Sequence, residues 1–179
     1  GIIGALLFVS GFFLSGVGFG VLAVLTLFSL KMANNWERFV ILRAGKLSSV
    51  KGPGLFVIIP VIDAITAVID ERIQTTQFNA EQALTRDTVP VNVDAVIFWH
   101  VHNAQHAALN ITNYREAIDR VAQTSLREMI GASHLSALLA ERKAADEVLR
   151  SEIARKTADW GISVNSVEIR DVAIPVGLQ

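Results

Sequence analysis

Apolar and polar positions alternate on different periods in successive parts of the chain, and the first part has no period at all. Gly1 to Leu30 contains no Asp, Glu, Lys, Arg, His, Asn or Gln, and the first charge is Lys31. A helix of that length reaches about 45 Å, against a bilayer hydrocarbon core of about 30 Å. A soluble domain of this size has no use for such a run, so residues 1–30 read as a membrane segment. Leu6, Leu14, Leu22 and Leu30 are its candidate apolar anchor positions. Ser15, Gly16, Gly18 and Gly20 interrupt its middle. Glycine inside a helix costs up to about 1 kcal/mol relative to alanine, which makes this a natural bend. A re-entrant hairpin and a single tilted span both satisfy the backbone hydrogen bonds that lipid cannot, so both stay open. Gly16 and Gly20 also have the spacing that lets two helices approach closely. With no basic n-region and so long an apolar run, a cleaved signal peptide is not expected.

Beyond Lys31 the period becomes two. Arg38 to Gly45 reads as a first strand closed by a turn, and Lys51-Gly-Pro-Gly54 as a second turn. Leu55 to Ile59 makes a short apolar strand that stops at Pro60, and Ile65, Ala67 and Ile69 alternate into Asp70-Glu-Arg72. The clearest strand follows Thr85-Arg-Asp-Thr88. Val89, Val91, Val93, Ala95, Ile97, Trp99 and Val101 fall on one face, with Pro90, Asn92, Asp94, His100 and His102 on the other. That alternation marks a half-buried strand of an antiparallel sheet.

At Asn103 the period changes to that of a helix. A short helical piece is predicted over Ala104 to Leu109. Asn113 and Glu116 have capping-box spacing ahead of the stripe Tyr114, Ile118, Val121, Leu126 and Met129, which ends at Gly131. Leu135, Leu138 and Leu139 open another helical stretch. A longer helix carries Val148, Leu149, Ile153 and Trp160 on one side, and Gly161 is placed to end it in a left-handed cap. Ile162 to Ala173 returns to strand, with a phase shift between Val164 and Val167 that predicts a bulge. The expected class is α+β: a membrane segment, then an antiparallel sheet with helices packed on one face.

Charge adds two features. The chain is 51% hydrophobic with a formal net charge of −1, and all 33 acidic and basic residues lie beyond residue 30, so nucleic acid is not an expected partner. Lys31, Arg38, Arg43, Lys46 and Lys51 face only Glu37 between positions 31 and 51. A basic stretch beside a membrane segment favours the cytoplasmic side and contact with anionic lipid. Glu141, Arg142, Lys143, Asp146, Glu147 and Arg150 crowd the polar side of the long helix, a candidate contact between copies of the chain. Cysteine is absent. Candidate chemistry is sparse. His100 and His102 project from one face of a strand, with His106 four residues later, so a metal-binding or hydrolytic module is the alternative function. No nucleophile elbow, zinc-protease motif, P-loop or dinucleotide fingerprint is present, and no cofactor is expected.

The order of motifs resembles a known family. Glu37-Arg-Phe-Val-Ile-Leu-Arg-Ala-Gly-Lys46 follows the apolar segment, then Gly52-Pro-Gly-Leu-Phe56 running to Pro60, then Thr85-Arg-Asp-Thr-Val-Pro-Val-Asn-Val-Asp94. Leu135-Ser136, Trp160-Gly-Ile-Ser-Val164, Val167-Glu-Ile-Arg-Asp171 and Pro175 complete it. This resembles the SPFH (band 7) superfamily and, within it, the stomatin/slipin branch, over residues 31–179. The resemblance implies a membrane-anchored scaffold without chemistry of its own, assembled into a large homo-oligomeric ring or cage. It also implies a role in organising membrane microdomains and regulating client channels or a membrane protease, in a bacterial inner membrane or a plasma membrane. An NfeD-type membrane protein is the partner it suggests for bacterial members. The family ordinarily continues into a long helical segment after the domain, which leaves the size of any oligomer open.

Overall fold

The computed structural model describes residues 2–175, with the backbone alone at residues 3 and 5–8, so the side chain of Leu6 and residues 176–179 lie outside it. The chain divides into two compact units, Gly1–Val68 and Ile69–Gln179.

In the first unit, α1 (Ile2–Ser29) is one helix that runs unbroken through Ser15–Gly20. Among the described residues, a methyl group built on Gly16, Gly18 or Gly20 meets nothing within 4 Å. Its hydroxyls are satisfied internally: Thr26 Oγ1 donates to the Leu22 carbonyl at 2.7 Å and Ser15 Oγ to that of Phe12 at 2.9 Å. Leu30 is not part of the helix. It opens β1 (Leu30–Ala33), which pairs antiparallel with β4 (Gly54–Val57), Leu30 opposite Val57 and Met32 opposite Leu55. A second sheet has the order β3-β2-β5, from β2 (Glu37–Arg43), β3 (Lys46–Lys51) and β5 (Asp63–Asp70). The β2–β3 hairpin turns through Ala44 (φ 49°) and Gly45 (φ 80°), two left-handed residues whose twist matches that of the flanking strands.

The second unit is built on β6 (Gln74–Leu84), β7 (Pro90–Val101) and β8 (Ile162–Ala173), an antiparallel sheet in the order β6-β7-β8. The sequence pointed to one sheet; the described residues form three. Every odd position of β7 from Val91 to Val101 is at most 1% exposed. Over that face lie α3 (Tyr114–Ala132), packed on β6, and α5 (Arg142–Thr157), packed on β8 and on α3. The short α2 (Ala104–Leu109) precedes α3, and α4 (Leu135–Ala140) comes between α3 and α5. Ile118, Leu126, Ile130, Leu149 and Ile153 close the core. Burying each such side chain contributes roughly 1.5–3 kcal/mol. Trp99 Nε1 donates to Thr76 Oγ1 at 3.0 Å, and its ring meets Tyr114 edge-on.

Local predictions meet specific outcomes. Asn113 caps α3 by accepting from the Glu116 N–H at 3.3 Å. The bulge predicted in the last strand sits at Asn165, which the register skips between Val164 and Ser166. Val148 departs from expectation: it is 55% exposed, because a helix turns about 100° per residue and Leu149 and Ile153 define the buried stripe. Trp160 lies beyond α5, in a 3₁₀ turn (Ala158–Trp160) that ends at left-handed Gly161 (φ 70°).

Candidate functional site: membrane stem and charged faces

The stem is the clearest functional element. Val9–Ser29 is 21 residues long with a mean hydropathy of 2.1, long and apolar enough to cross a membrane, and its most apolar stretch is uncovered by protein. Leu14 and Leu22 are 75% and 66% exposed. A soluble protein does not leave such a helix in water.

The five basic residues after the stem lie on β1, β2 and β3. Lys31 lies on β1, opposite Phe56. Arg38 lays its guanidinium over Gly52, where a Cβ would stand 2.6 Å from Nη1. Lys46 and Lys51 mark opposite ends of β3, about 17 Å apart at strand rise. Arg43 is committed elsewhere. Its Nε donates to Asp63 Oδ1 at 2.6 Å and its Nη2 to Oδ2 at 3.0 Å, while the Ile59 N–H donates to Oδ2 at 3.0 Å. The Asp63 side chain is only 3% exposed. Bonds from Arg43 and Ile59 favour its charged form and lower its pKa to about 2. Sequence reasoning missed Asp63, which meets Arg43 only through the fold.

On α5 the six charged positions divide into distinct roles. Glu141 is the N-cap, without a side-chain capping bond. Asp146 Oδ1 accepts from the Ile169 N–H on β8 at 2.9 Å, so it ties helix to strand. Glu147 and Arg150 pair with each other along the helix, which lowers the carboxyl pKa and raises that of the guanidinium. Arg142 and Lys143 occupy the first turn and have no ion-pair partner among the described residues. Lys143, Asp146, Glu147 and Arg150 line a groove of about 300 Å³ with residues 165–168 of β8.

Catalytic geometry is thin. His100 Nδ1 lies 2.7 Å from Asn165 Oδ1 and His102 Nδ1 lies 3.0 Å from Ser163 Oγ, so each ring has a separate partner on β8. His106 sits on α2, beside Gly161. Among the described residues no group of three or more His, Asp or Glu could hold a metal ion. Lys156 Nζ donates to Ser125 Oγ at 3.2 Å, but Ser125 is 2% exposed and Lys156 also binds Glu128 at 2.8 Å. That hydroxyl is out of reach of a substrate.

A family model described as SPFH domain / Band 7 family matches residues 31–179. The chain belongs to the SPFH domain / Band 7 family. Its similarities point to the stomatin branch of that family. A stomatin homolog of Pyrococcus horikoshii is 35% identical over 174 residues, covering 97% of this chain and 65% of that protein. Mouse stomatin is 40% identical over 152 residues, covering 84% of this chain and 53% of that protein. A stomatin homolog of Pyrococcus abyssi is 38% identical over 151 residues, covering 84% and 56%. The chain thus spans between half and two thirds of the length of these curated relatives. The SPFH domain in this chain follows directly on the apolar stem.

Proposed function

We propose that this chain is a membrane-anchored, non-catalytic scaffold of the stomatin type that assembles with copies of itself. Residues 1–30 are its membrane segment, crossing as a single span, and residues 31–179 are the domain that assembles. The observation carrying this reading is the uncovered α1 joined without a break to an SPFH domain. Assembly of many domains on one bilayer gathers lipid and client proteins into a microdomain, and a membrane protease or channel held beside the ring is regulated by that confinement. An NfeD-type membrane protein is the partner the stomatin branch suggests. The basic residues from Lys31 to Lys51 favour a domain on the cytoplasmic side of a bacterial inner membrane or a plasma membrane.

Three measurements test this. The protein stays in the membrane pellet through high-salt and alkaline carbonate washes, and release by either removes the anchor. The detergent-extracted particle sediments as a large closed homo-oligomer; a monomer, both in detergent and cross-linked in the membrane, removes the scaffold. Protease added to right-side-out vesicles leaves the domain uncut, and digestion there reverses the orientation.

A further inference from the structure

The sheet of the second unit has two edges, and they are finished differently. β8 is blunted. Its ladder to β7 skips Asn165 and Arg170, so the strand bulges at both. The Ile169 N–H is taken by Asp146 on α5, and Glu168, Arg170 and Asp171 put charges along the strand. Bulges and charges are devices by which an edge strand refuses further pairing. From Thr75 to Ala80, β6 has neither: no charge, no proline, no glycine and no break in its register with β7.

Hydrogen-bond parity fixes which backbone groups of β6 stay free. The His102 N–H donates to the Gly161 carbonyl at 2.9 Å, one step past the Val101–Ile162 pair. Even-numbered residues of β7 therefore bond toward β8, and odd-numbered ones toward β6. Ile169 agrees: it stands opposite Ala95, and its N–H turns away from β7 to Asp146. Ala95 and Ile97 thus exchange bonds with their partners Phe78 and Thr76. The N–H and C=O groups of Thr75, Gln77 and Asn79 point out of the sheet, and they have no partner among the described residues. The side chains of these three residues are exposed as well. An unpaired row of this kind is a template for one more strand.

The edge also borders a polar groove of about 560 Å³, lined by Gln77 and Asn79 of β6, Asp119 of α3, Asp94 of β7, and Arg170 and Asp171 of β8. Three carboxylates meet one guanidinium on its described wall. We propose that β6 takes up an extended, lysine- or arginine-rich segment of a partner protein as a fourth strand of this sheet, with its basic side chains in the groove. Backbone bonds to Thr75, Gln77 and Asn79 supply the pairing, and the carboxylates select the charge. A residue opposite Asn79 on the added strand stands two strand spacings, about 10 Å, from Asp94, a gap that a long cationic side chain closes. A second copy fits less well. β6 carries no charge over this stretch, so pairing two β6 edges would bring two acidic grooves together uncompensated, and the β8 edge of a copy is blunted. Strand addition goes beyond the scaffold reading and needs neither a bilayer nor a ring.

The probe is a short fluorescein-labelled peptide alternating lysine with threonine, titrated into the detergent-extracted full chain at low salt and followed by anisotropy. Binding is expected, together with slowed amide exchange at Thr75, Gln77 and Asn79. Methylating the peptide's backbone nitrogens leaves its charge alone and should weaken binding by about tenfold or more, as loss of the edge bonds requires. Replacing its lysines with glutamate should abolish binding, and Asp119→Asn should weaken it several-fold. Gln77→Pro is tolerated by an edge strand whose N–H faces outward, so it should weaken binding while the thermal midpoint stays near that of the parent. No binding of the lysine peptide, or equal binding of its methylated or glutamate form, overturns the proposal. Those arms leave the protein unaltered, so they decide the matter even if Gln77→Pro fails to fold. Amides at Thr75, Gln77 and Asn79 that are already protected without peptide, and lose protection on dilution, mean that a second copy holds the edge and also overturn it. A monomer that binds the peptide removes the ring and leaves this site standing.

Discussion

Asp94 and Asp171 stand directly opposite one another on β7 and β8, two exposed carboxylates at one register position of an antiparallel ladder. The neighbour of Asp94 on its other side, Asn79, is neutral. Both aspartates line a polar groove of about 560 Å³ with Asp119, and Arg170 is the one cation on its described wall. Like charges opposite one another in a sheet cost about 0.2–1 kcal/mol. Asp94→Asn is therefore expected to raise the thermal midpoint of the folded domain at low salt, and the gain should shrink as salt screens the pair. A variant less stable than the parent at low salt would show that Asp94 makes a favourable contact that outweighs the repulsion.

Gly161 is the residue whose replacement should cost most for its size. It is left-handed, and a Cβ there would stand 2.4 Å from the Asn103 carbonyl oxygen and 2.8 Å from its Cβ. Its own carbonyl accepts from the His102 and Asn103 N–H groups at 2.9 and 3.1 Å, so the backbone cannot simply move aside. The left-handed conformation alone costs an alanine of order 1–3 kcal/mol, before the collision is counted. Gly161→Ala should lower the thermal midpoint sharply, and Gly161→Asn should recover little, since asparagine relieves the strain but not the contact. Gly18→Ala in α1 is the control: open space surrounds it, and helix propensity favours alanine.

These two sites also mark what the sequence could and could not disclose. Gly161 as a cap was legible because a helical stripe ends and a strand begins around it, and β7 was legible because apolar residues fill every inward position, all of them large except Ala95. β6 was not. Its inward residues include Ala80 and Ala83, too small to stand out, and a bulge with Gln82 at φ 50° breaks the period, its freed N–H bonded to Asn92 Oδ1. β1 was absorbed into the apolar run before it, and β3 has only Leu47 and Val50 as apolar side chains. The stem was plain from composition alone. The Arg43–Asp63 pair was not, because its two residues stand 20 positions apart and meet only in the fold. On the charged face of α5, the pairing of Glu147 with Arg150 and the bond from the Ile169 N–H to Asp146 are contacts that only the fold discloses.

That division of α5 sharpens the assembly test. Arg142 and Lys143 sit in the helix's first turn, where the helix dipole disfavours cations by about 0.3–1 kcal/mol each. Reversing both to Glu should therefore stabilise α5 while placing the wrong sign at a contact between copies. Reversing Arg150 as well adds the loss of its pair with Glu147, worth only about 0.3–0.5 kcal/mol at an exposed helix site. In sedimentation at low salt, the double and triple variants should disperse to smaller species with unchanged or higher thermal midpoints, and Arg150→Glu alone should sediment like the parent. If the double variant keeps the parent's size, the basic start of α5 is not part of the contact.

Acid should loosen the turn over residues 59–62 before it unfolds the domain as a whole. Asp63 has a pKa of about 2 in the folded chain, against an ordinary value near 3.8, because Arg43 and the Ile59 N–H bind its charged form. With the folded value the lower of the two, the unfolded chain binds the proton more readily. The stabilisation from Asp63 is complete above about pH 4 and is lost as pH falls from there through about 2. Asp63→Asn removes the charge at every pH. The amide can still accept one bond, but it cannot hold the guanidinium and the Ile59 N–H as a carboxylate does. The variant should therefore show a lower thermal midpoint than the parent at pH 7 and faster proteolysis between residues 59 and 62. The two midpoints should converge as pH approaches 2. A gap that stays constant from pH 7 to pH 2 would mean that the shape of the side chain, rather than its charge, holds the turn in place.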